Sequence, residues 1–216
     1  MRIEPRTGVF VTLEGIDGCG KSTQAGRLAR AIAERLGPQA VLRTFEPGDW
    51  GGGAALRRLL LGEEVRDGRT ELLLFLADRS GHLESVVTPA LSESKVVICE
   101  RYSDSTLAYQ CWGRGLSLDL VKRFLECCHF IEPDVTVLLD LDPAEAERRL
   151  GRRGSPDRIE SDGRSFMERV SAGYRELARL HPERIVKVDA ARSEDEVAAS
   201  VEAAICSRIP GWRGTA

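Results

Sequence analysis

Short unbroken apolar runs alternate with longer stretches of helical periodicity along this chain. Val9 to Leu13, Ala40 to Phe45, Lys95 to Cys99, Val135 to Leu141 and Arg184 to Val188 read as five strands. Their apolar residues are continuous, not alternating, as expected of strands covered on both faces of a parallel sheet. Between them, helices are predicted over Lys21 to Leu36, Ala54 to Leu61, Thr70 to Leu91, Ser117 to Phe130, Pro143 to Leu150, Ser161 to Leu180 and Ser193 to Ser207. Gly37-Pro38 and Glu46-Pro47-Gly48 punctuate the first helix and the second strand. No repeat, low-complexity tract or linker divides the sequence, so residues 1–216 are expected to form one α/β domain.

Composition narrows the partners. With 42% hydrophobic and 30% charged residues in 216, the chain can build a sizeable core and is no candidate for disorder. A formal charge of −3 offers no general attraction to nucleic acid or to an anionic membrane. Any phosphate binding must come from local concentrations of arginine. Apolar runs such as Leu72 to Ala77 are far short of the ~20 residues of a membrane span. The first residues lack the basic-then-apolar pattern of a leader, and a cytoplasmic location is expected. The six cysteines form no C-x-x-C pair and no histidine sits at zinc spacing from them, which fits free thiols in a reducing compartment.

One motif carries specific chemistry. Gly15-Ile16-Asp17-Gly18-Cys19-Gly20-Lys21-Ser22 matches G-x-x-x-x-G-K-S/T, with Thr23 next, directly after a strand and at the start of a helix. Glycines let the backbone curl so that successive N–H groups face phosphate oxygens, and the helix N-terminus adds its positive dipole end. Lys21 would bridge the terminal phosphates of ATP, and the Ser22 hydroxyl would ligate Mg²⁺. Cys19 lies within this loop and is a candidate for modification. A regulatory GTPase is excluded, because its guanine-reading element needs asparagine and the sequence contains none.

Further segments bear a resemblance. VTLEGIDGCGKSTQ, Glu46-Pro47-Gly48, LLLFLADR ending at Arg79, ERYSDSTLAYQ at 100–110 and RGSPDRIE at 153–160 occur in order. Over about residues 9–180 the chain resembles the bacterial thymidylate kinases, a family of P-loop nucleoside monophosphate kinases. The resemblance implies a three-layer P-loop kinase fold with a five-stranded parallel sheet and a short arginine-rich lid at about 149–160. It implies transfer of the ATP γ-phosphoryl to dTMP with Mg²⁺, and a homodimer.

The same resemblance implies roles for residues. Arg101 would grip the dTMP phosphate, Arg57 would add a contact to it, and Glu100 would hold Mg²⁺ with Ser22. Phe75 would stack on thymine and Arg79 would bond its carbonyl edge. Ser105 and Thr106 would offer hydroxyls to the base, Gln110 would complete its pocket, and Tyr109 would leave little room for a 2′-hydroxyl. Asp17 would face the 3′-hydroxyl, with Glu46 nearby. Arg153 and Arg149 would stabilise the transferring phosphoryl. Taken alone, Phe75 also reads as a core residue, Arg57 beside Arg58 as a solvated basic face, and the cluster Arg148, Arg149, Arg152, Arg153, Arg158 as a charged helix surface. His82, His129 and His181 are read as structural or exposed.

The sequence departs from the family pattern at three places. Phe45 stands for the arginine of R-E-P-G, Asp49-Trp50 for Gly-Thr, and Glu100 for the usual aspartate. Two rivals follow. A thymidine or deoxycytidine kinase would use Glu46 or Glu100 as general base on a 5′-hydroxyl, and its Glu-Pro turn is followed by tryptophan, as here. A nucleotide-binding protein without catalysis is the other.

Overall fold

The computed structural model describes residues 7–62, 64–65, 67–151, 162–206 and 208. Five strands, β1 (Val9–Glu14), β2 (Val41–Phe45), β3 (Val96–Glu100), β4 (Val135–Asp140) and β5 (Ile185–Asp189), form one sheet in the order β2-β3-β1-β4-β5. Every neighbouring pair is parallel. The order reverses around β1, so a crevice opens beyond the carboxyl ends of β1 and β3, the usual ligand position in such sheets.

Helices cover both faces. Val11, Leu13 and Ile98 face a core completed by α1 (Lys21–Leu36), α8 (Arg164–Leu180) and α9 (Glu194–Cys206). The alternate residues Phe10, Val97 and Cys99 face a second core with Leu83, Val87, Leu91 and Tyr102. Two-residue periodicity divides each strand between them. Each fully buried Leu or Phe here contributes about 1.5–3 kcal/mol.

Helix boundaries follow local chemistry. The helices at Lys21–Leu36 and α7 (Pro143–Leu150) match the sequence expectation residue for residue. α2 spans Gly53–Leu61 and α6 spans Leu118–Cys127. The long helix expected at 70–91 starts earlier, as α3 (Gly68–His82), because the Asp67 side chain accepts from Thr70 N at 2.9 Å. A π-turn over Leu83–Val87 then leads into α4 (Thr88–Ser92). Pro89 explains the interruption, since it has no N–H to continue the ladder.

One helix was not anticipated. Ser103–Thr106 (α5) continues through a π-turn over Leu107–Gly113. Ser and Asp compete for backbone bonds and read as cap or loop residues, so packing, not propensity, makes this helix. It lies tightly on α8: a Cβ at Gly113 would meet the Phe166 ring at 2.7 Å, and one at Gly173 would meet Trp112 at 2.8 Å. Among the described residues no helix is long and apolar enough to cross a membrane.

Candidate active site

The phosphate loop turns from β1 into α1. Gly15 (φ +138°) and Gly18 (φ +82°) are required there: a Cβ would stand 2.6 Å from the carbonyl oxygens of Leu139 and Ala146, respectively. Gly20 precedes α1 without a side-chain cap, leaving the first-turn N–H groups facing the crevice mouth. Lys21 Nζ donates to the Gly15 and Ile16 carbonyls at 2.9 and 3.0 Å and lies 3.7 Å from Cys19 Sγ. The buried Cys19 thiol thus packs under the lysine, while Thr23 lies behind the loop on α1.

Across the loop, Arg101 leaves β3 with φ +67°, a left-handed conformation costing a non-glycine residue about 1–2 kcal/mol. That turn aims its guanidinium back at the loop. Nη2 contacts Asp17 Oδ1 at 2.5 Å, and Nη1 reaches Gly15 O and Ser105 Oγ, both at 3.3 Å. The guanidinium lies 5.1 Å over the Tyr109 ring, whose hydroxyl donates to Asp17 Oδ2 at 3.1 Å. Burial alone would raise the Asp17 pKa, but Arg101 and then Lys21 outweigh it and bring it to about 2. Asp17 is therefore a fixed anion that orients Arg101 and Tyr109.

Beneath this layer lies a carboxylate that the sequence reading missed. Glu14, fully buried, accepts from Tyr102 N at 2.7 Å, Ser105 Oγ at 2.6 Å and Tyr174 OH at 3.0 Å. Burial, then Asp104, raises its pKa to about 7. The Ser105 hydroxyl, expected to serve the base, is bonded to Glu14. Glu14 precedes Gly15 in the motif itself, the one signal that could have found it.

The far wall is a second network. Arg79 donates from Nε and Nη2 to Glu46 Oε2 at 2.9 and 2.8 Å, and from Nη1 to Thr106 Oγ1 at 3.0 Å. Its guanidinium stacks 4.7 Å over the Tyr102 ring. The other Glu46 oxygen meets His82 Nδ1 at 3.0 Å. His82 is buried, with Nε2 2.6 Å from Thr44 Oγ1, consistent with a structural histidine. Glu46 thus orients Arg79 while lining the same cavity as Asp17. Gln110 Nε2 donates to Glu71 Oε1 at 2.8 Å, which fixes the amide orientation because a carboxylate only accepts. The buried Gln110 Oε1 has no hydrogen-bond partner among the described residues.

Asp17, Lys21, Ser22, Glu46, Arg57, Phe75, Arg79, Glu100, Arg101, Ser105, Thr106, Tyr109 and Gln110 line one cavity of about 410 Å³. Arg43, Phe45, Pro47 and Leu61 complete it. Ser22 Oγ donates to Glu100 Oε2 at 2.5 Å, so two hard oxygen donors stand side by side, the chemistry that Mg²⁺ takes. Arg57 donates to Pro47 O at 2.6 Å and lies 5.4 Å over the Phe45 ring.

Residues 13–201 match the family model "Thymidylate kinase". The chain is 43% identical over 203 residues to the thymidylate kinase of Deinococcus radiodurans, covering 93% of this chain and 98% of that one. It is 45% identical over 203 residues to that of Solidesulfovibrio magneticus, covering 89% and 96%. This protein belongs to the thymidylate kinase family. The crystal structure of thymidylate kinase from Ehrlichia chaffeensis superposes with a TM-score of 0.74 at 32% identity, over 90% of this chain and 96% of that chain. The architecture is the P-loop kinase fold.

Within that thymidylate kinase frame, Arg149 and Trp50 find partners that the sequence did not indicate. Arg149 does not line the cavity: its Nε is held by Glu145 at 3.0 Å and its Nη2 by the Ala190 carbonyl at 3.1 Å. The i,i+4 spacing of Glu145 and Arg149 on α7 produces the first bond. Arg148 is likewise bonded to Glu145, and Arg152, Arg153 and Arg158 lie outside the described residues. Trp50, one of the departures from the family pattern, serves as a strap. Its Nε1 donates to Asp78 Oδ1 at 2.9 Å, Gly48 N donates to Oδ2 at 3.1 Å, and its ring fills the space where a Cβ on Gly81 would stand 2.5 Å away. Burial, the dominant influence, raises the pKa of Asp78.

Proposed function

We propose that this protein transfers the γ-phosphoryl of ATP to dTMP, giving dTDP and ADP. One observation carries the reading. The cavity that holds Lys21 and Arg101 is also lined by a guanidinium, Arg79, and by Gln110, whose buried amide Oε1 has no hydrogen-bond partner among the described residues. A donor and an acceptor lining one cavity complement the O4 and N3–H of thymine. Leaving that acceptor buried and unpaired costs about 1–3 kcal/mol, which a thymine N–H would relieve.

In the proposed reaction a dTMP phosphate oxygen attacks the γ-phosphorus. The bond to the β,γ-bridging oxygen breaks, and ADP leaves with its electron pair. The acceptor is already largely a dianion at pH 7, since the second pKa of a phosphate monoester is about 6, so no general base is needed. Lys21 and the α1 N-terminus hold the ATP phosphates, Arg101 and Arg57 the dTMP phosphate. Phe75 stacks on the base, Thr106 keeps Arg79 aimed at it, and Asp17 and Tyr109 border the sugar. Ser22 and Glu100 would hold Mg²⁺, which would supply charge neutralisation to the phosphates. Arg153, with Arg149 released from Glu145, is proposed to close the site as a lid. Exposed Leu59 on α2 and Leu73 on α3, helices that pack together, support a homodimer.

A nucleoside kinase would need a free carboxylate at a 5′-hydroxyl. Glu46 is committed to Arg79 and His82, and Glu100 to Ser22 and Arg43. Assaying a panel of nucleosides and monophosphates with Mg-ATP tests the proposal. Turnover of dTMP in preference to thymidine is expected; the reverse preference would overturn it.

A further inference from the structure

We propose that Arg43 is a positioning residue that braces the Glu100 carboxylate so that one of its oxygens faces Ser22 where the metal binds. The inference rests on the reading of Ser22 and Glu100 as metal ligands and adds a residue that neither the motifs nor the resemblance singled out.

Strand register produces the brace. Phe45 of β2 pairs with Glu100 of β3, and Arg43 pairs with Ile98. Arg43 and Phe45 therefore share a face of the sheet, and the longer side chain runs forward along β2 to the end of β3. Arg43 Nη2 and Nε reach the same oxygen, Glu100 Oε1, at 2.8 and 3.2 Å. The other oxygen, Oε2, is left to Ser22 Oγ at 2.5 Å. Nη1 packs over Gly26 of α1, 3.4 Å from where a Cβ would stand. The carboxylate is thus fixed from one side with its second oxygen presented at the head of α1.

Stability does not account for this arrangement. Arg43 is 43% exposed at its side chain, and pairs of such exposure contribute little to folding. Its value lies in Glu100, whose several torsions must otherwise be ordered when the metal arrives. Glutamate has one more torsion than the family's usual aspartate, and two rigidly linked guanidinium donors converging on one oxygen hold it more firmly than a single ammonium would. Phe45, which leaves no arginine at the R-E-P-G position, lines the same cavity wall.

The test measures how much Mn²⁺ tightens ADP binding, as the ratio of dissociation constants in EDTA and in saturating Mn²⁺, for wild type, Ser22→Ala, Arg43→Ala and Arg43→Lys. The proposal expects Arg43→Ala to cut the metal-dependent tightening about tenfold while the melting temperature stays within two degrees of wild type (about tenfold is the cost of freeing one such side chain). Arg43→Lys should recover only part of it. An undiminished ratio in Arg43→Ala, or a lysine variant equal to wild type, overturns the bracing role while leaving the ligands in place. If Ser22→Ala keeps the full tightening, the ligand reading itself falls, and the brace with it.

Discussion

Arg79 and Glu46 meet 2.8 Å apart with 2% and 3% of their side chains exposed, an ion pair sealed inside the cavity wall. Removing one partner of such a pair leaves a buried charge uncompensated, at a cost of about 3–5 kcal/mol. Glu46→Ala should therefore lower the urea midpoint severely. Glu46→Gln keeps the shape and one acceptor, and should fold with a raised KM for dTMP as Arg79 loses its anchor. A Glu46→Ala protein as stable as wild type would show that the pair is not what orders this wall.

Glu14 makes stability depend on pH in an unusual direction for a carboxylate. Burial and Asp104 raise its pKa in the folded state from 4.5 to about 7. The folded protein binds this proton more tightly than the unfolded chain, so the contribution is complete below about 4.5 and is lost as pH rises through about 7. Glu14→Gln should flatten the melting-temperature profile across that window, so that it falls less between pH 5 and pH 8 than that of wild type. An unchanged slope between pH 5 and 8 would exclude Glu14 as its source.

Lys21→Ala should abolish turnover, because the loop then lacks its only lysine near the transferring group. Arg153→Ala should act differently, lowering kcat by ~10³ with little change in the KM for dTMP, as expected of a residue that acts on the transition state. Single-turnover rates distinguish the two. An Arg153→Ala enzyme with wild-type kcat rejects the lid assignment.

Tyr109 is held from both sides, its ring under Arg101 and its hydroxyl on Asp17 at 3.1 Å. A wall fixed in this way can refuse a 2′-hydroxyl by bulk alone. Tyr109→Ala should raise kcat/KM for the ribonucleotide relative to dTMP by about tenfold, a differential of ~1.4 kcal/mol. Competition between the two acceptors measures it, and an unaltered preference for deoxyribose removes Tyr109 from that role.

How far the site could be read in advance follows from how local its parts are. The phosphate loop was legible because its glycines, Lys21 and Ser22 are contiguous and their strand-to-helix setting is periodic. The three central strands were legible because both faces are buried, and the edge strands because turn residues bound their apolar runs. Glu14, Glu71, Asp78 and Arg43 were not, since each is defined by a partner tens of residues away, brought near only by sheet order and register. The helix from Ser103 stayed hidden because its first turn is built of capping residues, and its stability comes from contact with α8. Trp50 read as an echo of nucleoside kinases until Asp78, on another helix, gave it a partner. Arg149 was placed by the density of arginines, which says nothing about which carboxylate each one meets.

Gln110 gives the sharpest test of base recognition. Its amide orientation is fixed by Glu71, which can only accept, so on the proposed reading Oε1 is the atom left to accept from the base. Gln110→Leu keeps the volume and removes the acceptor. The N3–H of thymine is then buried without a partner, costing about 1–3 kcal/mol, or roughly 5- to 150-fold in kcat/KM. N3-methyl-dTMP separates this from a packing defect, because it has no proton to donate. Wild type should discriminate strongly against the methylated substrate, whereas Gln110→Leu should discriminate much less. Equal discrimination by the two proteins would mean that Gln110 shapes the pocket without reading the base.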